Sequence, residues 1–232
     1  DDESDYILNM IKTKDKGYLA TGITESYGFG STDMFLLKLD SIGNKEWFYA
    51  YGKENTGEKG VKVKQLEDSS FVVLGDVFLP SGNQNIFITK VSKIGDYKWT
   101  NTFGDINVDI ASFLEINTDN EIVFGGSSEN ASLTDVDVLL LKCDTAGNLL
   151  KSKFLGVDSS QFSLKPIVSN FGDKHAGHKD EANDIFIHSD NSISLIGSQT
   201  DSLSNSVSFL ANSPSFVNNN KPVVFLSNLP TG

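Results

Sequence analysis

Three sets of residues recur at intervals of 52. Lys38, Lys90 and Lys142 form one set, Gly43, Gly95 and Gly147 the second, and Gly52, Gly104 and Gly156 the third. A period this long and regular marks a chain built from copies of one supersecondary unit, and it restricts the fold more than any local pattern does. Each period holds four runs of strand length. In the first they are 5–12 (DYILNMIK), 17–24 (GYLATGIT), 33–39 (DMFLLKL) and 45–51 (KEWFYAY), bounded by Gly, Asp, Asn or Ser. The second period repeats the order at 58–66, 70–77, 85–91 and 97–103, and the third at 109–117, 121–127, 137–143 and 149–155. No sustained helical period lies between them. Four short strands in a meander cannot bury both faces of their sheet alone, but copies packed radially can. The expected fold is all-β, a β-propeller of four-stranded antiparallel blades.

The hairpin between the third and fourth strands is the most specific local signal. It reads Asp40-Ser-Ile-Gly43-Asn44, then Ser92-Lys-Ile-Gly95-Asp96, then Asp144-Thr-Ala-Gly147-Asn148. An Asp or Ser opens the turn by accepting backbone hydrogen bonds, and the glycine takes a positive-φ position that a side chain would resist. Such a turn sets strand register, and a one-residue slip would turn the core face outward.

The fourth unit is degenerate. Residues 182–188 and 192–199 match the first two strands, and 206–211 and 222–229 would be the last two. Ala111 to Ala182 is 71 residues, so the period is broken by an insertion that falls within 157–180. The chain thus reads as a single propeller domain over 1–232, with blades at 5–52, 58–104, 109–156 and 181–229. The alternative is a part of a larger propeller.

Composition excludes some functions. Lys and Arg number 19 against 31 Asp and Glu, giving a net charge of −12, which repels phosphate backbones and anionic lipid. Nucleic acid is not an expected partner. No run of about 18 apolar residues is present, so a membrane contact is expected only through a lipid anchor outside this chain. The lone Cys143 allows no intrachain disulfide and aligns with Leu39 and Val91, as a buried small hydrophobe would. The acidic opening, Asp1-Asp2-Glu3-Ser4-Asp5, reads as a tether or a processed start.

The repeat resembles a bacterial family of secreted and lipid-anchored β-propellers. The matching residues are Asp15, Gly17, Tyr18 and Gly22, then Asp33, Lys38, Asp40, Gly43, Asn44 and Trp47, then Tyr51-Gly52. The second unit keeps Gly75, Lys90, Gly95, Asp96, Trp99 and Gly104. The third keeps Gly126, Asp137, Lys142, Asp144, Gly147 and Gly156, with Lys151 in place of the tryptophan. The resemblance covers about three-quarters of the chain. It implies export to the periplasm or cell surface, by bacteria of the Bacteroidetes kind, and a scaffold role; a fold alone does not assign a function.

Two constellations could carry chemistry. Asp5, Glu58, Asp109 and Asp180 fall at equivalent positions, before each innermost strand, with spacings of 53, 51 and 71. Innermost strands line a propeller's central channel, so four carboxylates would gather at its mouth and attract a hard cation such as Ca²⁺. Mutual repulsion there would raise a carboxyl pKa. The competing reading is that each acid caps its own turn and faces water. The second constellation is His175-Ala-Gly-His178 with Asp173, Asp180 and Glu181, inside the insertion, a set of residue types that suits Zn²⁺. The spacing is not the helical one of metalloproteases, and a solvated polar loop is the competing reading.

No Ser-His-Asp order, phosphate loop or paired-cysteine motif is present, and no catalytic residue is assigned. The leading expectation is a non-catalytic binding or interaction propeller of an exported bacterial protein, with a protein or glycan partner and no cofactor. One alternative is a glycan-acting or hydrolytic enzyme using the channel-mouth carboxylates. Another is a structural domain stabilised by Ca²⁺ or Zn²⁺.

Overall fold

The computed structural model describes residues 4–104, 107–129, 136–155, 179–200 and 206–213. They form fifteen β-strands and no helix. Two compact units divide the chain, Asp1–Leu114 and Glu115–Gly232.

The first unit contains two four-stranded antiparallel sheets. One has the order β1 (Asp5–Lys12), β2 (Tyr18–Thr24), β3 (Asp33–Leu39), β4 (Lys45–Tyr51). The other is β5 (Gly57–Gln65), β6 (Phe71–Phe78), β7 (Gln84–Val91), β8 (Tyr97–Phe103). Apolar residues from both sheets make one core: Leu19, Met34 and Leu36 from the first meet Val63, Phe71, Val73 and Phe87 from the second. Removing each such side chain from water contributes about 1.5–3 kcal/mol, so this shared core stabilises both sheets. Trp47 and Tyr51 on β4 pack against the edge of this core, and the Tyr51 hydroxyl donates to the Gly95 carbonyl at 2.7 Å.

β9 (Asp109–Ile116) begins in the first unit. The second unit holds β10 (Ile122–Glu129), β11 (Val136–Cys143), β12 (Leu149–Leu155), β13 (Lys179–Ile187), β14 (Ile193–Thr200) and β15 (Ser206–Ser213). These strands make one sheet of order β15-β14-β13-β11-β10-β9, with β12 also on β11. The sheet is two meanders joined at a single parallel pair, Val136 with Lys179. Thr32 with Gly57 and Gln84 with Val108 make the same bridge elsewhere. The expected last strand, 222–229, lies outside the described residues, as do 157–178. Lys179 and Asp180, placed by the period in the insertion, belong to β13.

The strand ladders carry repeated bulges. An extra residue sits between Ile7 and Asn9, between Gly60 and Lys62, and between Ala182 and Asp184. On the outer pair of strands the register shifts at Lys38/Leu39, Lys90/Val91 and Lys142/Cys143. Bulges bend a strand and increase its twist, as blade-shaped sheets require.

Each of the three repeated lysines sits at such a shift and makes an ion pair within its blade. Lys38 meets Asp15 at 2.9 Å and Glu46 at 2.8 Å, Lys90 meets Asp68 at 3.1 Å, and Lys142 meets Glu121 at 2.7 Å. Burial disfavours the Lys38 ammonium, but the bonds to Glu46 and Asp15 outweigh it and leave its pKa raised. Cys143 is fully buried, and that burial pushes its thiol up to about 12, so it is inert as a nucleophile.

Candidate functional site

The acids of the expected ring lie inside the innermost strands, at or next to their first residues: Asp5 on β1, Glu58 on β5, Asp109 on β9 and Asp180 on β13. Their neighbours follow from the parallel bridges. The bridge Thr32–Gly57 puts Asp33 beside Glu58, and Gln84–Val108 puts Asn85 beside Asp109. Val136–Lys179 does the same in register for Asp137 and Asp180. Each junction between blades thus joins the first residue or two of a third strand to an acid of the next blade's innermost strand.

The first junction is the most charged. Asp33 is 2% exposed and Glu58 8%. Asp33 Oδ2 accepts from the backbone N–H of Phe29 at 3.0 Å and of Gly30 at 3.2 Å, which fixes the loop before β3. Glu58 Oε1 accepts from the Thr56 hydroxyl, while its backbone N–H donates to Thr32 at 3.0 Å. The other oxygen of each carboxylate, Asp33 Oδ1 and Glu58 Oε2, is buried without a hydrogen-bond partner. Both converge on the Cα of Gly52. A Cβ there would overlap Asp33 Oδ1 and lie 2.7 Å from Glu58 Oε2. The third periodic glycine therefore serves close approach of carboxylates. Burial raises the Glu58 pKa, the Thr56 hydroxyl opposes that shift, and the negative charge of Asp33 adds to it.

The second junction has the same form with an amide in place of one carboxylate. A Cβ on Gly104 would overlap Asp109 Oδ2 and lie 2.6 Å from Asn85 Oδ1. Asp109 is 1% exposed. Beside it, Asp76 is fully buried; its Oδ1 accepts from the Ala111 N–H at 2.7 Å, and its Oδ2 lies 2.6 Å from the Lys59 ammonium. That last contact is ionic without hydrogen-bond direction, since Asp76 Oδ2 has no hydrogen-bond partner.

Asp5 differs from both. It is exposed, and accepts from the Thr24 hydroxyl at 2.6 Å and the Ser26 hydroxyl at 3.1 Å. The Thr24 bond leads the causes that lower its pKa. Asp180 lies on β13. His175 and His178 lie outside the described residues. Among the described residues, no three or more His, Cys, Asp or Glu side chains are grouped to hold a metal ion, so Asp5, Glu58 and Asp109 do not come together in that way.

Sequence reading missed Asp33 as the partner of Glu58. The available signal was its spacing, since Asp33, Asn85 and Asp137 keep the 52-residue period beside the acids.

No family model matches the chain, and no curated protein matches it in sequence. Solved structures do match. One is the crystal structure of an endo-arabinase from Bacteroides thetaiotaomicron, at a TM-score of 0.54 and 14% identity, covering 94% of this chain and 78% of that one. Together with the four-stranded antiparallel sheets, this defines the class: a β-propeller-like all-β protein.

Proposed function

We propose that this chain is a non-catalytic binding propeller of an exported bacterial protein, taking a protein or glycan partner at its surface. Four blades, at 5–52, 58–104, 109–156 and 181–229, complete the domain in this reading. One observation carries it: Glu58 and Asp109, the carboxylates a glycan-acting site would use, are 8% and 1% exposed and are seated against Gly52 and Gly104. Aromatic rings stand exposed instead on an ordered loop. Phe29 is 73% exposed although its N–H is tied to Asp33, and Tyr27, also exposed, packs edge-on against Phe48 at 5.2 Å. Rings held in place and open to water give contact area at low entropic cost, for a sugar face or a protein surface.

The test incubates the whole chain with a panel of oligosaccharides that includes arabinan fragments, and measures binding and reducing-end release together. Binding without release is expected, with affinity falling about tenfold in the Tyr27→Ala/Phe29→Ala variant, as hot-spot aromatics do. A glycan-acting enzyme is the second reading. It is supported by the likeness to an endo-arabinase and by the raised pKa of Glu58 beside Asp33, the pattern of a general acid. Release of reducing ends that disappears in Glu58→Gln would establish it and sink the first.

A further inference from the structure

The first two junctions are the same structure with one group changed. At each, a glycine Cα is covered by one polar oxygen from the preceding blade's third strand and one carboxylate oxygen from the next blade's first strand. At the second junction the preceding blade supplies an amide, Asn85, whose N–H₂ carries hydrogens to give. At the first it supplies the carboxylate of Asp33, which carries none when ionised. Two carboxylate oxygens more than nine-tenths buried, each without a partner and turned to one point, repel at full strength unless something positive lies between them.

The surrounding charges do not outweigh that repulsion. Lys53, on the loop after β4, favours the ionised Glu58 through its backbone and its charge, but each of these effects is smaller than burial and than the opposing charge of Asp33, and the Glu58 pKa stays raised. Lys59 on β5 is paired with Asp76 on β6. Asp5 on β1 is tied to Thr24 and Ser26. Two carboxylates without a third acidic or imidazole ligand are a poor cage for Ca²⁺, which takes six to eight oxygens, and among the described residues no such larger group exists. A single proton fits, because it needs only the two oxygens.

We propose that Asp33 and Glu58 hold one proton between Asp33 Oδ1 and Glu58 Oε2, making the first blade junction a proton-binding site. The proton comes from solvent and stays on the pair; the neutral carboxyl donates to the remaining carboxylate. The raised Glu58 pKa agrees in direction. A carboxyl whose pKa is raised by folding stabilises the fold below its unfolded value and loses that contribution as pH rises through the folded value. The junction therefore tightens on acidification, whatever ligand the protein binds.

The experiment compares thermal unfolding of the full chain with its Asp33→Asn and Glu58→Gln variants from acid to mildly alkaline pH, with EDTA and again with added CaCl₂. Each variant supplies permanently the hydrogen that the wild type must take from solvent. Both should melt above wild type by about 2–4 °C at pH near 8, a 1 kcal/mol effect for a chain of this size. The gap should close as pH falls toward the ordinary glutamate range. Infrared spectra give a second readout: wild type should show a protonated-carboxyl band that persists above that range and is missing from both variants. Variants less stable than wild type by the same amount at every pH, with no such band, overturn the proposal. So does a saturable Ca²⁺-induced rise in wild-type Tm that both variants lack, which would put a cation between the oxygens.

Discussion

Two kinds of hairpin turn recur among the described residues, and they reach nearly the same geometry with different residues. The turn between third and fourth strands ends on glycine, and Gly43, Gly95 and Gly147 all have φ of 91°. The turn between first and second strands occurs four times, at 13–17, 66–70, 117–121 and 188–192, with the same pair of backbone hydrogen bonds. Its equivalent position holds Lys16, Ser69, Asn120 and Asn191, at φ of 70°, 69°, 59° and 62°. The difference, 21° to 32°, decides the residue. Near 60° lies the small left-handed region that L-residues tolerate at modest cost, whereas 91° lies outside it and is left to glycine. A buried lysine ties the two turns together: Lys38 reaches Asp15 in the first and Glu46 just beyond the second.

Breaking that tie should give the largest effect. The Lys38 side chain is 3% exposed, while those of Asp15 and Glu46 are 59% and 45% exposed. Removing both acids, as Asp15→Ala/Glu46→Ala, strands a buried ammonium and should cost about 3 kcal/mol in urea unfolding. Lys38→Met leaves only solvated acids and should cost about 1 kcal/mol or less. If Lys38→Met is the worse of the two, the lysine acts through more than its charge.

Glycine replacements come next. Gly43 has open space around it, so Gly43→Ala should cost about 1 kcal/mol from backbone strain alone. At Gly95 the added Cβ would also meet the Tyr49 ring at 2.6 Å, and Gly95→Ala should cost about 2–3 kcal/mol. Equal losses would show that Tyr49 swings aside.

A pH experiment sharpens the role of the first turn. Hydrogen bonds from Thr13 and then Lys38 hold the Asp15 carboxyl down at about 2, against an ordinary 3.8. A depressed carboxyl contributes stability above its unfolded pKa and loses it as pH falls toward the folded value. Wild type should therefore lose stability between pH about 4 and 2 more steeply than Lys38→Met does. The smallest effect belongs to Lys16→Gly. It relieves a left-handed lysine but loosens the unfolded chain, and should leave stability within about 0.5 kcal/mol of wild type.

The contrast between turns also shows what can be read from residues. The glycine turns were legible because only glycine answers their φ. In the four other turns the left-handed position itself was not, because many side chains tolerate its φ; the recurring mark is the aspartate before it, Asp15, Asp68, Asp119 and Asp190, a residue common in any polar turn. The repeated lysines kept their period visibly, and two of their acidic partners, Asp15 and Asp68, share the third place of their turns, but the third partner is Glu121, at the fifth place, although Asp119 fills the third. At the junctions the acids were legible as a series with spacings of 53, 51 and 71. Their partners were not, because Asp33 and Glu58 meet across two sheets by a single parallel bridge.

The sequence by itself determined the strands, their antiparallel order within a blade and the glycine turns, since each depends on hydrogen bonds and steric limits among residues close along the chain. Tertiary structure alone decided what the periodic acids became. Packing one sheet on the next strips water from Glu58 and Asp109, seats them against Gly52 and Gly104, and pairs them with Asp33 and Asn85. Asp5 shows the same residue type at the equivalent position left in solvent, bonded to hydroxyls of its own blade. An acid's chemistry follows its solvation, and solvation is set by which sheet covers it.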